Sequence, residues 1–301
     1  MKTSRALEMI RTASRGVFLV VLALAAALSV PAIAQEIAQE EEPQAPPSVQ
    51  KIIEGRGENE MVLIHGLGGN ADIWDDCLPH LKGTFKVWTF ELSGHGQTQP
   101  IVDSTIEKEA GRLGEFLEEQ GIVYPTLVGH AMGGMIALRY SIDHPADVNR
   151  LIVLDAAPKQ LAGKEQKAAV GQELANDYDR FVYSRFLNMT PDKEVTDRIV
   201  DTALRTDSAT FISLLMSSFD FDVSDKLYSL PVPMLVVGSE LMFPGKGNSK
   251  HQLEHYGFGK ARTLSFKRMG GTGHFMMLEQ PRYLSSVLLA FGVTAEYQFD
   301  R

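Results

Sequence analysis

Two glycine-rich turns and a few titratable side chains are where this chain is equipped for chemistry. His65-Gly66-Leu67-Gly68-Gly69 follows the apolar run Met61–Ile64, and Gly129-His130-Ala131-Met132-Gly133-Gly134 follows Thr126–Val128. A G-x-x-x-G spacing between a strand and a helix permits a sharp turn, because glycine has no Cβ to clash. Downstream, Asp155 ends LIVLD, Glu240 follows Gly238-Ser239, and His274 stands in Gly273-His274-Phe275. An imidazole beside a carboxylate is a general acid–base pair. The residue at the centre of the second turn is alanine, which has neither a proton nor a lone pair to offer.

These groups need elements to hold them, and the hydrophobic pattern supplies a regular alternation. Strands are expected at Met61–His65, Lys86–Phe90, Thr126–Val128, Leu151–Leu154, Val232–Val237 and Arg262–Phe266. Helices are expected at Ala71–Lys82, Thr105–Gly121, Met132–His144 and Leu278–Phe291. Short apolar strands alternating with amphipathic helices call for a doubly wound, mostly parallel α/β sheet. The alternation stops over residues 156–230, where three helical segments follow one another: Lys164–Leu187, Asp192–Leu204 and Ser208–Phe219. A helical insertion of this kind is expected to cap the strand C-termini, where such sheets bind ligands. Residues 50–155 and 231–301 then form the core.

In combination the motifs resemble those of the α/β-hydrolase fold family, over about Val49–Phe291. Strand–G-x-S-x-G–helix is that family's nucleophile elbow, and with serine at 131 this segment would read GHSMGG, as in serine esterases and lipases. The resemblance implies oxyanion-hole N–H donors at Leu67 and Met132, a base at His274, and a structural turn at Gly94-His95-Gly96, with Glu91 where aspartate is usual. The acid has two candidates. Leu241 occupies the family's usual aspartate position with Glu240 one residue early, whereas Asp155 sits where a subset of the family carries its acid; Asp155 is preferred. No cofactor and no metal are implied. His65 and His130 are expected to pack beside and under the turns, His95 to fix its own, and His80, His144, His251 and His255 to lie on the surface. Trp74, Trp88, Met216, Phe219 and Phe221 are expected mainly in the core, with an acyl pocket as their alternative.

Composition narrows the partners. The 301 residues carry a formal charge of −9 and one cysteine. An acidic chain lacks the basic surface that tracks a nucleic-acid backbone, and Cys77 alone forms no internal disulfide. Lys2, Arg5, Arg11 and Arg15 precede the apolar run Val17–Val30 and then Ala32-Ile33-Ala34. That is the three-part pattern of a signal peptide over residues 1–34, which implies a periplasmic or secreted product without stable membrane insertion. Residues 35–49, rich in Glu, Gln and Pro, read as a flexible linker.

The expected partner is therefore a small acyl or ester ligand, and the expected family-level reaction is carboxylic ester hydrolysis by a Ser-His-Asp mechanism. Alanine at 131 silences it, since a methyl group cannot attack a carbonyl. Three accounts fit: a Ser→Ala change in a working esterase, a natural relative that binds without acylating, or an oxygenase- or lyase-type enzyme needing only a His–Asp base. The leader makes its own prediction. Exported protein should begin at Gln35 on N-terminal sequencing, and a membrane-bound product still starting at Met1 would overturn the assignment.

Overall fold

The computed structural model of the chain describes residues 57, 59–245 and 247–293. The signal-peptide and linker assignments, residues 1–34 and 35–49, lie outside the described residues.

Six strands form one parallel sheet: β1 Asn59–Ile64, β2 Phe85–Phe90, β3 Thr126–His130, β4 Arg150–Leu154, β5 Met234–Ser239 and β6 Leu264–Met269. Their order is β2-β1-β3-β4-β5-β6. The helices are α1 Leu78–Leu81, α2 Ile106–Glu119, α3 Met132–Asp143, α4 Lys164–Asn176, α5 Tyr178–Phe186, α6 Lys193–Leu204, α7 Ser208–Ser218, α8 Ser249–His255, α9 Met276–Glu279 and α10 Pro281–Val293. Every parallel crossover needs a connection long enough to return along the sheet, and helices on both faces supply it.

Strand periodicity divides the core between those faces. Val62, Ile64, Trp88, Phe90, Leu127, Val153 and Val236 point to one side, where Leu113 and Phe116 of α2 and Ile136 of α3 cover them. Met61, Leu63, Phe85, Val87, Val128, Ile152 and Leu235 point to the other, against Trp74 and the α10 residues Leu284, Leu288 and Phe291. Successive residues alternate in direction, so one apolar run such as Met61–Ile64 serves both cores.

Between β4 and β5 stand α4 to α7. Their apolar residues Phe181, Phe186, Ile199 and Phe211 join the second core. The expected helix Lys164–Leu187 is two helices. Asp177 breaks it with extended backbone (φ −160°, ψ 92°), and its side chain accepts from Arg180 N to cap α5. Such a cap offers the chain an alternative to continuing the preceding helix. The expected helix Ala71–Lys82 is likewise divided, into a 3₁₀ turn at Ala71–Trp74 and α1, whose first turn carries Pro79.

The tightest packing lies where β3 passes into α3. A Cβ at Gly133 would be driven into the carbonyl oxygens of Ile64 and His65, and one at Gly129 into the Gly133 carbonyl. Gly133→Ala should therefore destabilise the fold by about 3 kcal/mol or more, at the upper end of overpacking effects. Gly111, in α2, supplies the contrast, since a Cβ added there would meet nothing within 4 Å. Gly111→Ala should stabilise by about 0.5–1 kcal/mol. Urea unfolding of the two variants checks both signs, and equal effects would refute the backbone-contact account.

Candidate active site

The turn after β3 places residue 131 at the C-terminal edge of the sheet. Ala131 has φ +49° and ψ −116°, a sparsely populated conformation for a residue with a Cβ. Its amide donates to Leu154 O at 2.9 Å and its carbonyl accepts from Gly134 N at 2.9 Å, so strand ladder and helix start are fused at this residue. Met132 opens α3, and the amide of a first helical residue has no acceptor within its own helix. The Gly66 loop lies against this turn, since a Cβ at Gly66 would stand 3.0 Å from Ala131 Cβ.

Buried imidazoles shape that loop. His65 Nδ1 lies 2.8 Å from Gly66 O, a carbonyl that only accepts, so Nδ1 carries the hydrogen and Nε2 accepts from Leu92 N at 3.1 Å. His95 repeats the arrangement: Nδ1 donates to Ser93 O at 2.7 Å and Nε2 accepts from Gly68 N at 3.0 Å. The two rings lie 5.2 Å apart. Burial pulls His65 down to about 4 and His95 to about 3, the second lowered further by His65. His130 is also driven well below its ordinary value, by burial and then by neighbouring His274. Its Nε2 donates to His274 O at 2.9 Å, while Nδ1 has no partner among the described residues.

Asp155 and His274 meet. Asp155 Oδ2 lies 3.0 Å from His274 Nδ1, accepts from Ser239 Oγ at 2.5 Å, and leaves Oδ1 to Ser239 N at 2.6 Å. Asp155 is itself turned out of its strand at φ +44°, with its amide held by Val237 O. A carboxylate that accepts at Nδ1 fixes the tautomer, so the neutral ring has its lone pair at Nε2. His274 N donates to Met189 O at 2.6 Å, which pins the histidine loop to the insertion. Glu240 is elsewhere: it is exposed, and its carboxylate accepts from Gly271 N at 2.8 Å, bracing the turn after β6.

Ala131, Met132, Leu67, Asp155 and His274 line one cavity of about 240 Å³. Sequence reasoning missed the rest of its wall, which includes Met135, Lys159, Gln160, Arg185, Phe186, Met189, Met242 and Tyr256. Several of these come from the insertion or α8, and nothing in their local spacing marks them. Of the five residues weighed as acyl-pocket lining, Trp74, Trp88 and Phe221 are buried in the cores, and Met216 and Phe219 pack against the second. His80, His144, His251 and His255 are exposed.

A family model of the alpha/beta hydrolase fold matches residues 59–196. The chain is 28% identical over 199 residues to the pimeloyl-[acyl-carrier protein] methyl ester esterase of Klebsiella pneumoniae, covering 60% of this chain and 74% of that one. Over 95 residues it is 37% identical to the dihydrolipoyllysine-residue acetyltransferase component of the acetoin cleaving system of Cupriavidus necator, which is 31% of this chain and 25% of that one. The chain thus spans a quarter of that relative's length. Among solved structures, the enol-lactonase from Burkholderia xenovorans shares the fold with a TM-score of 0.71 at 17% identity, covering 82% of this chain and 97% of that one.

The buried histidines set a pH dependence. Unfolded, an imidazole titrates near 6.5; folded, His65 and His95 stay neutral to about 4 and about 3. Across that window the unfolded chain binds protons that the folded chain does not, so this stability is complete above 6.5 and is lost as pH falls. Each imidazole contributes about 1.4 kcal/mol per pH unit. Between pH 6.5 and 5, where carboxylates scarcely titrate, the urea midpoint should fall steadily; a flat midpoint would contradict the neutral, buried histidines.

Proposed function

Since the chain belongs to the α/β-hydrolase fold family, we propose that this cavity is an esterase-type acyl site that binds an ester or related acyl compound and is silenced at its nucleophile position. The carrying observation is Ala131 itself. It holds a strained backbone conformation at the end of a central strand, on the wall of the cavity that contains the Asp155–His274 pair. Holding a non-glycine residue in such a conformation costs about 1–3 kcal/mol. A turn that only joined a strand to a helix would gain nothing for that cost, whereas a turn that presents residue 131 to a ligand does.

Each remaining part has a role in this reading. The Leu67 and Met132 amides receive the ligand's carbonyl oxygen. His274 Nε2 is the proton acceptor, and Asp155, held by Ser239, orients the ring and stabilises the imidazolium once it forms. The step that fails is the first. With serine at 131, Oγ would attack the carbonyl carbon while His274 took its proton, forming a tetrahedral oxyanion; Ala131 has no such oxygen. Loss of a nucleophile in a comparable serine hydrolase lowers kcat on the order of 10⁶-fold. The methyl ester esterase and the enol-lactonase among the similar proteins support acyl chemistry on this scaffold.

Ala131→Ser tests the reading because none of the other groups depends on the side chain at 131. The variant should gain hydrolysis of p-nitrophenyl acetate by several orders of magnitude, towards about 1–10³ s⁻¹, and Ala131→Ser with His274→Ala should lose the gain. The unsubstituted chain should stay near the uncatalysed rate. Activity of the unsubstituted chain that vanishes with His274→Ala alone would overturn the proposal in favour of base-only chemistry.

A further inference from the structure

The cavity has an unusual charge balance for an acidic protein. Its wall carries two cations, Lys159 and Arg185, and one carboxylate, Asp155. Asp155 is fully engaged by Ser239 and His274, with its side chain sealed from solvent.

The two cations differ in their surroundings. Lys159 lies near Asp222, whose carboxyl is held below its ordinary value first by Ser224 and in part by this lysine. Its stem packs on Gly257. Arg185 stands in the last turn of α5, partly buried on the cavity wall. Among the described residues its guanidinium makes no hydrogen bond and no ion pair. Burial pulls its pKa below the ordinary arginine value.

A favourable helix-end position explains why a cation is tolerated at 185. It does not explain an arginine whose donors all go unused. Had the side chain served the helix, it would reach the terminal carbonyls, and it does not. A guanidinium presents a planar fork of five N–H donors, matched to two oxygens of one carboxylate. The residue is half-buried and its nitrogens are not sealed from solvent, so the oxygens of a ligand in the cavity can reach donors that no protein group has taken.

Resting on the acyl-site reading above, we propose that Arg185 is the carboxylate anchor of this cavity and that its ligand is an acyl compound bearing a free carboxylate, such as the half-ester of a short dicarboxylic acid. The ester end lies at Ala131, Leu67 and Met132, and the carboxylate end lies at the insertion. A cavity of about 240 Å³ is at the small end of ligand pockets and suits a short chain between the two.

Binding to the unsubstituted chain tests this without requiring turnover. Calorimetry or ligand-observed NMR with monomethyl glutarate and dimethyl glutarate at pH 7.5 should show the half-ester bound at least about tenfold more tightly. Arg185→Gln should bring that ratio to near one, and Arg185→Lys should retain part of it, which separates lost recognition from lost folding. Equal affinity for the two esters in the unsubstituted chain would overturn the proposal, as would a ratio unmoved by Arg185→Gln. Inorganic phosphate that displaces the half-ester at equal concentration would also overturn it, by making the site a general anion site. The acyl-site reading fails separately: half-ester discrimination by a chain whose Ala131→Ser variant stays inactive would remove that reading alone.

Discussion

Where α3 leaves the sheet, its first turn lies backbone to backbone against the end of β1. The carbonyl oxygens of Ile64 and His65 occupy the space a side chain at 133 would need, and the Gly133 carbonyl fills the space over Gly129. Gly134 extends the contact, because a Cβ there would stand 2.7 Å from Ala156 Cβ at the end of β4. β3 is paired on both sides, in register with β1 and with β4, so it cannot slide to relieve the crowding. The chain reversal is therefore forced into Ala131. Much of the cavity follows from that one constraint: the height of residue 131 above the sheet, the free amide of Met132 at the helix start, and the nearness of the Gly66 loop. A backbone contact of this kind resists adjustment, because close-packed interiors transmit strain instead of absorbing it.

The polar groups around the turn are arranged to hold geometry without adding charge. His65 and His95 tie the Gly66–Gly68 loop to Leu92 and Ser93 as neutral rings. A charged side chain in those positions would have to be desolvated as well as bonded. Charge is admitted where several donors meet it. Glu91 accepts from Ala71 N and Gln97 N, linking the segments that follow β1 and β2, and Asp155 accepts from Ser239 twice before it meets His274. The result is a scaffold of loops fixed by backbone donors. One carboxylate–imidazole pair joins the ends of β4 and β6 through β5.

The parts of this arrangement written in local sequence were legible there. Glycine spacing announced the elbow because only a Cβ-free residue survives the contacts at 129 and 133. Short apolar runs such as Met61–Ile64 and Leu151–Leu154 announced strands covered on both faces, and the switch to helical spacing after Asp155 announced the insertion between β4 and β5. Less local features were not legible. The division of the long insertion helix at Asp177 depends on one capping side chain competing with the helix, and propensity alone gave it no weight. The ambiguity between Asp155 and Glu240 is one of direction. Asp155 leaves its strand at φ +44° and turns towards His274, whereas Glu240 faces the Gly271 turn, and sequence offsets do not carry direction. Arg185 lies on a helix whose apolar residues set its rotation, so its place on the cavity wall comes from packing between distant segments.

Three departures from ordinary protein structure meet at or beneath the cavity, and together they bear on what it is for. Ala131 is strained, and among the described residues His130 Nδ1 is buried without a partner beside Gly66 and the Arg185 guanidinium makes no hydrogen bond. The first two are unfavourable in isolation. The unpaired nitrogen costs about 1–3 kcal/mol, and the elbow strain is of similar size. Glycine at 131 would relax the strain at no steric cost. Under the acyl-site proposal the strain at Ala131 has a use, because it presents residue 131 to the same cavity that holds the Asp155–His274 pair.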